Sequence, residues 1–420
     1  MPPAMPSSHS APLSLGMVGA GFNTRFHIQS LVGVRDAIAG GVAGRSIENA
    51  RSVAALAREL GVGEPRVFDS VDDMAASPAI DALWINAPND VRIEVLEAIA
   101  RGAARRTRPL LGIACEKPLA RNLGEAQRAL AISRDIGAPT GYLENQVFAP
   151  AVARGKEILW RRAVPLTGRP YLARAAEEHS GPHKPWFWSG RRQGGGVLND
   201  MMCHSVETAR FLLTAPGAPR ASLRPVAASA QIASLKWTRP EYAARLLEST
   251  GGEIDYTREP AEDYASATIT YEDEAGRRVV TEMTSSWAYV GPGLRHTIEL
   301  LGPEYSMHLD TLETGLRVFF SRRVRGPEGE DLVEKQNAEQ GLMPVVPEEA
   351  AHYGYVAENR HMVRAFREGR PALLSFDDGV EVVRLLMACY LSAETGAVVD
   401  PLSPRIEDFV PAVGRGAWKP

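Results

Sequence analysis

Asp200 and His204 stand four residues apart in the run Gly194-Gly195-Gly196-Val197-Leu198-Asn199-Asp200-Met201-Met202-Cys203-His204. An imidazole beside a carboxylate gives and takes protons near neutral pH. Residues 197–213 carry enough Leu, Met, Glu, Ala and Arg to predict a helix. Positions i and i+4 of a helix share a face, so the spacing sets Asp200 beside His204. The three glycines ahead of them permit a sharp turn or a close backbone approach. Lys117, between Glu116 and Pro118 after an apolar run over 109–114, is the second group of interest. An ammonium in a partly desolvated cleft stabilises a developing alkoxide or polarises a carbonyl. Each motif alone also fits a plainer role, a self-satisfied Asp–His pair or a solvated lysine at a strand end.

The elements that must position these groups begin with an apolar strand over 13–18. It runs into Gly19-Ala20-Gly21-Phe22-Asn23-Thr24 and a helix over 25–31. This is the strand, glycine turn and helix of a dinucleotide site, with Thr24 where a third glycine usually sits. Gly19 makes the turn, and Gly21 lets backbone amides approach a pyrophosphate at the helix N-terminus. The next strand, 37–43, ends in Gly44-Arg45-Ser46. An acid there would hold the ribose hydroxyls of NAD; Arg45 and Ser46 instead suit a 2′-phosphate, so the cofactor is NAD or NADP with a lean to NADP. Helices over 48–60, 71–76 and 91–101 alternate with strands over 66–68, 80–85 and 109–114. The alternation predicts a doubly wound parallel sheet with helices on both faces. Ala87-Pro88-Asn89 and Glu116-Lys117 close two of its strands at the edge where a cofactor would lie.

Glu144 and Asn145 follow the last strand of that sheet. After a helix over 150–161 and a strand over 170–176 comes a loop, 179–193, containing His179, His183, Trp186 and Trp188. Rings that stack on sugar faces and basic groups that meet hydroxyls make these, with Glu144 and Asn145, the candidate substrate contacts. Beyond residue 226, strands over 265–271, 278–286, 295–302, 306–311 and 316–320 follow without intervening helices. They predict a large, mostly antiparallel open sheet flanked by helices over 352–368 and 379–394. An insert at about 236–262, with a helix over 241–248, reads as a lid or a subunit contact, and 322–347 as a surface excursion. The organisation is therefore a disordered leader (1–12), a dinucleotide-binding domain (13–142) and a substrate-binding and oligomerisation domain (143–420).

Composition bounds the function. In 420 residues, 45% hydrophobic and 23% charged, the formal net charge is -4 with acids and bases mixed. That excludes an electrostatic footprint for nucleic acid or an anionic membrane. No apolar run approaches the ~20 residues of a membrane span. The Pro- and Ser-rich leader lacks the apolar segment of an export signal. Cys115, Cys203 and Cys389, few and far apart, read as reduced thiols in a cytoplasmic protein. No metal site is expected, because only Asp200, Cys203 and His204 among the usual ligand types lie close together.

Taken together, Gly19-Ala20-Gly21 with His27, Ala87-Pro88-Asn89, Glu116-Lys117-Pro118-Leu119-Ala120, Gly194-Gly195-Gly196 with Asp200 and His204, and Ser392-Ala393-Glu394-Thr395-Gly396 form one ordered set. From about residue 13 to 399 the chain resembles the glucose–fructose oxidoreductase, inositol dehydrogenase and rhizopine-catabolism family (Gfo/Idh/MocA). The resemblance implies a Rossmann-type first domain and a second whose open sheet packs on another subunit, giving a homodimer or homotetramer. It also implies one cleft for Lys117, Asp200 and His204. There His204 is the general acid/base, Lys117 steadies the oxyanion, and Asp200 orients the imidazole or binds a neighbouring hydroxyl. The implied activity is NAD(P)-dependent hydride transfer on a sugar, glycoside or cyclic polyol. Two alternatives stay open. One is a redox-neutral glycosidase using Glu144 or His183 as an added base. The other is a non-catalytic nucleotide-binding regulator, favoured by the missing third glycine and strand-end acid.

Overall fold

The computed structural model describes residues 11–313, 317–320, 333–336 and 340–420, so the first ten residues of the expected leader lie outside it. Six strands form the first sheet: β1 Leu13–Val18, β2 Ala37–Ala43, β3 Arg66–Phe68, β4 Ala82–Ile85, β5 Gly112–Glu116 and β6 Thr140–Leu143. They pair in parallel in the order β3-β2-β1-β4-β5-β6. A parallel sheet has both faces covered, and β4 and β5 accordingly bury every residue. The helices are α1 Phe22–Ser30, α2 Ile47–Glu59, α3 Val71–Ala76, α4 Arg92–Ala103 and α5 Leu123–Ile136. Ser46, Ser70 and Asn122 cap α2, α3 and α5 by accepting the amide three residues on, each worth about 1 kcal/mol. Sequence patterning did not single out α5. It also set β5 too early; the strand ends on Glu116, which places Lys117 at its very edge.

The second sheet comprises β7 Leu172–Glu178, β8 Arg224–Ala233, β9 Tyr264–Glu272, β10 Arg278–Ser286, β11 Arg295–Gly302 and β12 Tyr305–Asp310. Its order is β12-β11-β7-β10-β9-β8, antiparallel except where β10 meets β7. One face packs on helices Met202–Leu213 and Phe376–Thr395. The other presents Arg174, Thr268, Glu282 and Glu299 to the outside. A separate pair, β13 Arg317–Phe320 and β14 Gly341–Pro344, lies within and beside the stretch expected to be a surface excursion. That expectation is corrected where the chain is described, because Glu334 and Lys335 reach the cleft treated below. Among the described residues no helix is long and apolar enough to cross a membrane.

Helix Tyr355–Arg367 returns to the first sheet. Phe366, 1% exposed, meets Trp84 of β4 edge to face, ring centroids 5.6 Å apart. Phe366→Ala is therefore expected to cost about 3–5 kcal/mol of unfolding free energy, the usual range for emptying such a site. Urea denaturation checks this; a loss below ~1 kcal/mol would mean the ring does not tie helix to sheet. The insert carries a helix, Pro240–Ser249, and packs within its own chain. Trp237 donates to Trp287 O at 2.9 Å and Tyr256 to Trp188 O at 3.0 Å. None of its residues lines the cleft, so the insert braces the 179–193 loop where a lid had been one of two expectations.

Candidate active site

The order of the first sheet reverses between β1 and β4, and ligands of doubly wound sheets lie outside the carboxyl ends of such a pair. There Gly19, at φ +100°, brings the chain so close to the β4 turn that a Cβ would stand 3.0 Å from Ala87 N. Gly21 caps α1 with open space over its Cβ position, no side-chain cap and no acid in the first turn. Free amides at the positive end of a nine-residue helix fit a pyrophosphate. Both side-chain atoms of Asn86, at the end of β4, are buried without a partner among the described residues. These observations fit a dinucleotide. Arg92 holds the edge together by donating to Ala87 O at 3.0 Å, to Lys117 O at 3.3 Å and to Pro118 O.

The cleft beyond this edge gathers side chains from both sheets. Lys117 Nζ donates to Asp200 O at 2.9 Å and lies 3.4 Å from Asp200 Oδ1. Burial works against its charge, but the carboxylates of Asp200, Glu177 and Glu116 outweigh burial and hold the ammonium well above the usual lysine range. The expected helix over 197–213 is broken at Met201 into Val197–Asp200 and Met202–Leu213. Asp200 and His204 thus stand on separate segments, and no hydrogen bond or ion pair joins their side chains. The carboxylate on His204 Nδ1 is Glu144, at 2.6 Å. Glu177 Oε1 lies 4.0 Å from Nε2. Burial pulls the imidazole down, but the charges of Glu144 and Glu177 and the Glu144 hydrogen bond raise it above the ordinary histidine range. Glu177 itself is pushed up to about 7, chiefly by burial.

The glycine run is packed from behind. A Cβ on Gly196 would strike Glu262 O at 2.3 Å. Glu262 accepts from Gly196 N at 2.9 Å, Leu198 N at 3.2 Å and the Tyr390 hydroxyl at 2.6 Å. This carboxyl pins the turn that delivers Asp200 and His204. Glu144, Cys203 and His204 also bring ligand-type atoms within 4.8 Å of one another. Burial keeps the Cys203 thiol protonated, Cys203 Sγ donates to Asp200 O at 3.1 Å, and His204 Nδ1 is spent on Glu144, so each member of the trio already has its own partner.

Residues 13–140 match the profile of the oxidoreductase family's NAD-binding Rossmann fold, and residues 170–400 that of its C-terminal alpha/beta domain, GFO_IDH_MocA in both cases. The chain belongs to the Gfo/Idh/MocA family of oxidoreductases. A 1,5-anhydro-D-fructose reductase of Ensifer adhaerens is 29% identical over 208 residues, 47% of this chain and 56% of that one. A D-xylose 1-dehydrogenase [NADP(+)] of Haloarcula marismortui is 26% identical over 205 residues, 48% of this chain and 51% of that one. The match spans about half the length of these curated relatives. In structure the chain is similar to GenD2 from gentamicin A biosynthesis, solved with NAD (TM-score 0.73, 24% identity, 94% of this chain and 98% of that one). It is also similar to levoglucosan dehydrogenase with NADH and levoglucosan (TM-score 0.67, 21% identity, 93% and 99%).

Within this Gfo/Idh/MocA chain, the residues singled out from sequence fall into two groups. Phe22, Asn23, Lys117, Asn145, His179, His183, Asp200 and His204 line the cleft, and Gly19, Gly21, Ala87 and Pro88 shape the edge. Others are turned to structural work. Thr24 is fully buried and donates to Gly19 O at 3.0 Å, holding the turn in place of facing a phosphate. Asn89 gives its amide to Gln193. Glu116 is buried against His27 Nε2 at 2.9 Å and Lys117 N at 3.1 Å. Ser46 caps α2, while Arg45 stays exposed. Trp188, 5% exposed, sits among Trp237, Tyr256 and Trp287 and leaves the substrate set. Trp186 stacks on Phe187, and it is Phe187 that lines the cleft. The sequence reading missed Glu177, Tyr353, Glu334 and Lys335. Only Glu177 carried a signal: alternation along Ala173, Ala175 and Glu177 points it inward.

Proposed function

We propose that the protein is an NAD(P)-dependent oxidoreductase that interconverts a hydroxyl and a keto group on a sugar, glycoside or cyclic polyol. One observation carries this: a charged Lys117 and a carboxylate-held His204 share a cleft at the carboxyl edge of a 3-2-1-4-5-6 sheet. A bound nicotinamide supplies the hydride chemistry. His204 Nε2 takes the hydroxyl proton, Glu144 holds Nδ1–H so that Nε2 faces the cleft, and Lys117 donates to the oxygen as negative charge grows on it. Asp200 keeps Lys117 in place. The test is a panel of sugars and cyclic polyols with NAD+ and NADP+, read by nicotinamide absorbance; cofactor binding with no turnover on any member would favour a regulator. Glu144 is spent on His204, which removes one of the two candidates for the single added base of a redox-neutral glycosidase, so net oxidoreduction is the better reading.

For the cofactor, NADP is the reading supported by exposed Arg45 at the end of β2, with no acid at that strand end. Arg45→Ala is expected to weaken NADP relative to NAD by about 10–100-fold, the size of a charge-assisted phosphate contact. Titration of the apoprotein with both nucleotides measures the ratio, and an unchanged ratio refutes the assignment. The open face of the second sheet supports a homodimer or homotetramer. Light scattering giving a monomer at micromolar concentration would refute that.

A further inference from the structure

Two buried polar atoms of the described cleft residues have no hydrogen-bond partner: Glu177 Oε2 and the Tyr353 hydroxyl. Glu177 is 4% and Tyr353 1% exposed. They arrive from opposite ends of the second half of the chain. Glu177 occupies the inward position near the end of β7, and Tyr353 lies in the turn before helix Tyr355–Arg367, fixed there by Asn145, which donates to Tyr353 O at 2.8 Å. Leaving such groups buried and unpaired is costly, and more so for a charge. Nothing among the described residues recovers that cost. A carboxyl accepts and a phenol donates, which together is what one alcohol oxygen and its proton require. The distance of 4.0 Å between Glu177 Oε1 and His204 Nε2 is too long for a hydrogen bond. Each is thus free to hold one of two oxygens that are themselves neighbours.

We infer that Glu177 and Tyr353 form a second hydroxyl subsite beside the reacting position, so that the substrate is a vicinal diol on a ring. One hydroxyl lies between Lys117 and His204, and its neighbour lies on Glu177 and Tyr353. This rests on the oxidoreductase reading above. Burial pushes both groups up, Glu177 to about 7, and the charge of Glu177 is among those raising the Tyr353 phenol. Near neutral pH the carboxyl is therefore present in accepting and donating forms, and the phenol only as a donor or neutral acceptor.

The test uses the full chain loaded with NAD+ or NADP+. D-glucose, D-xylose and myo-inositol are offered first, then D-glucose beside its 2-deoxy and 3-deoxy forms. The wild type is expected to favour the full diol over the deoxy form lacking the neighbouring hydroxyl. In Glu177→Gln and Tyr353→Phe that preference in kcat/KM is expected to shrink by about 10-fold or more, mainly through KM. The ratio is taken on one enzyme sample, so a partly folded variant does not alter it. A merely structural role would lower both substrates alike, and an unchanged ratio overturns the subsite while leaving the oxidoreductase reading intact. If the wild type oxidises none of these probes, that reading fails for them, and saturation-transfer NMR on the cofactor-loaded protein decides the subsite. Weakened sugar binding in both variants supports it; equal binding, or none to the wild type, overturns it.

Discussion

His204→Ala is expected to lower turnover by about 10²–10⁴-fold, the contribution of a positioned acid/base. The imidazole is 5% exposed, its Nδ1 is bonded to Glu144 at 2.6 Å, and its Nε2 faces the cleft. Removing it leaves the substrate proton without an acceptor and Glu144 buried without its partner. The groups around the ring are Lys117, Glu144, Glu177, Cys203, His296 and Glu334. Burial keeps His296 neutral, down to about 3. The carboxylates outweigh burial, so His204 is protonated to higher pH than an ordinary histidine. The sign follows. Oxidation needs the neutral ring, so kcat for oxidation rises with pH through a limb above the usual histidine range. Reduction needs the imidazolium, and falls through the same limb. Because Glu144, Glu177 and His204 interact, the limb belongs to the cluster. Glu144→Gln removes a negative charge and is expected to move the limb to lower pH. A limb that stays in place, or near-normal turnover in His204→Ala, would show that the proton goes elsewhere.

Lys117→Ala carries the second large effect, about 10²–10³-fold in kcat, the usual loss when a preorganised oxyanion donor is removed. The ammonium stays charged because the carboxylates of Asp200, Glu177 and Glu116 surround it. Its contact with the Asp200 backbone oxygen at 2.9 Å fixes it to the turn after Gly196. Lys117→Arg is not expected to rescue, since a planar guanidinium cannot replace a compact ammonium in that space. If the loss appeared in KM with kcat unchanged, Lys117 would bind substrate uniformly and not steady the transition state. Asp200→Asn keeps the backbone contact and is expected to cost less than Lys117→Ala.

Much of this protein was legible from local chemistry. The β1 and β2 strands, the glycine turn between β1 and α1, and the placement of Lys117 at a strand's carboxyl edge follow from hydrophobic period and the φ demands of glycine, which act over a few residues. The alternation of strands and helices in the first half, and of strands alone in the second, marked two different sheets for the same reason. The residue pattern of the motifs likewise pointed to the oxidoreductase family.

Partner choice was not legible. Asp200 four residues before His204 suggested a pair, yet the break at Met201 and the Glu262–Tyr390 clamp behind Gly196 turn Asp200 to Lys117 and leave His204 to Glu144. Thr24, Asn89, Glu116 and Trp188 looked like ligand contacts by type, and each is spent on another part of the chain. Sequence by itself determined which residues could do chemistry and which strands carry them, because those are short-range properties of backbone and side chain. Only the tertiary structure decided which carboxylate meets the imidazole and that Glu177 and Tyr353 face the cleft. Those contacts join residues far apart in the chain, and close packing, not spacing, selects them.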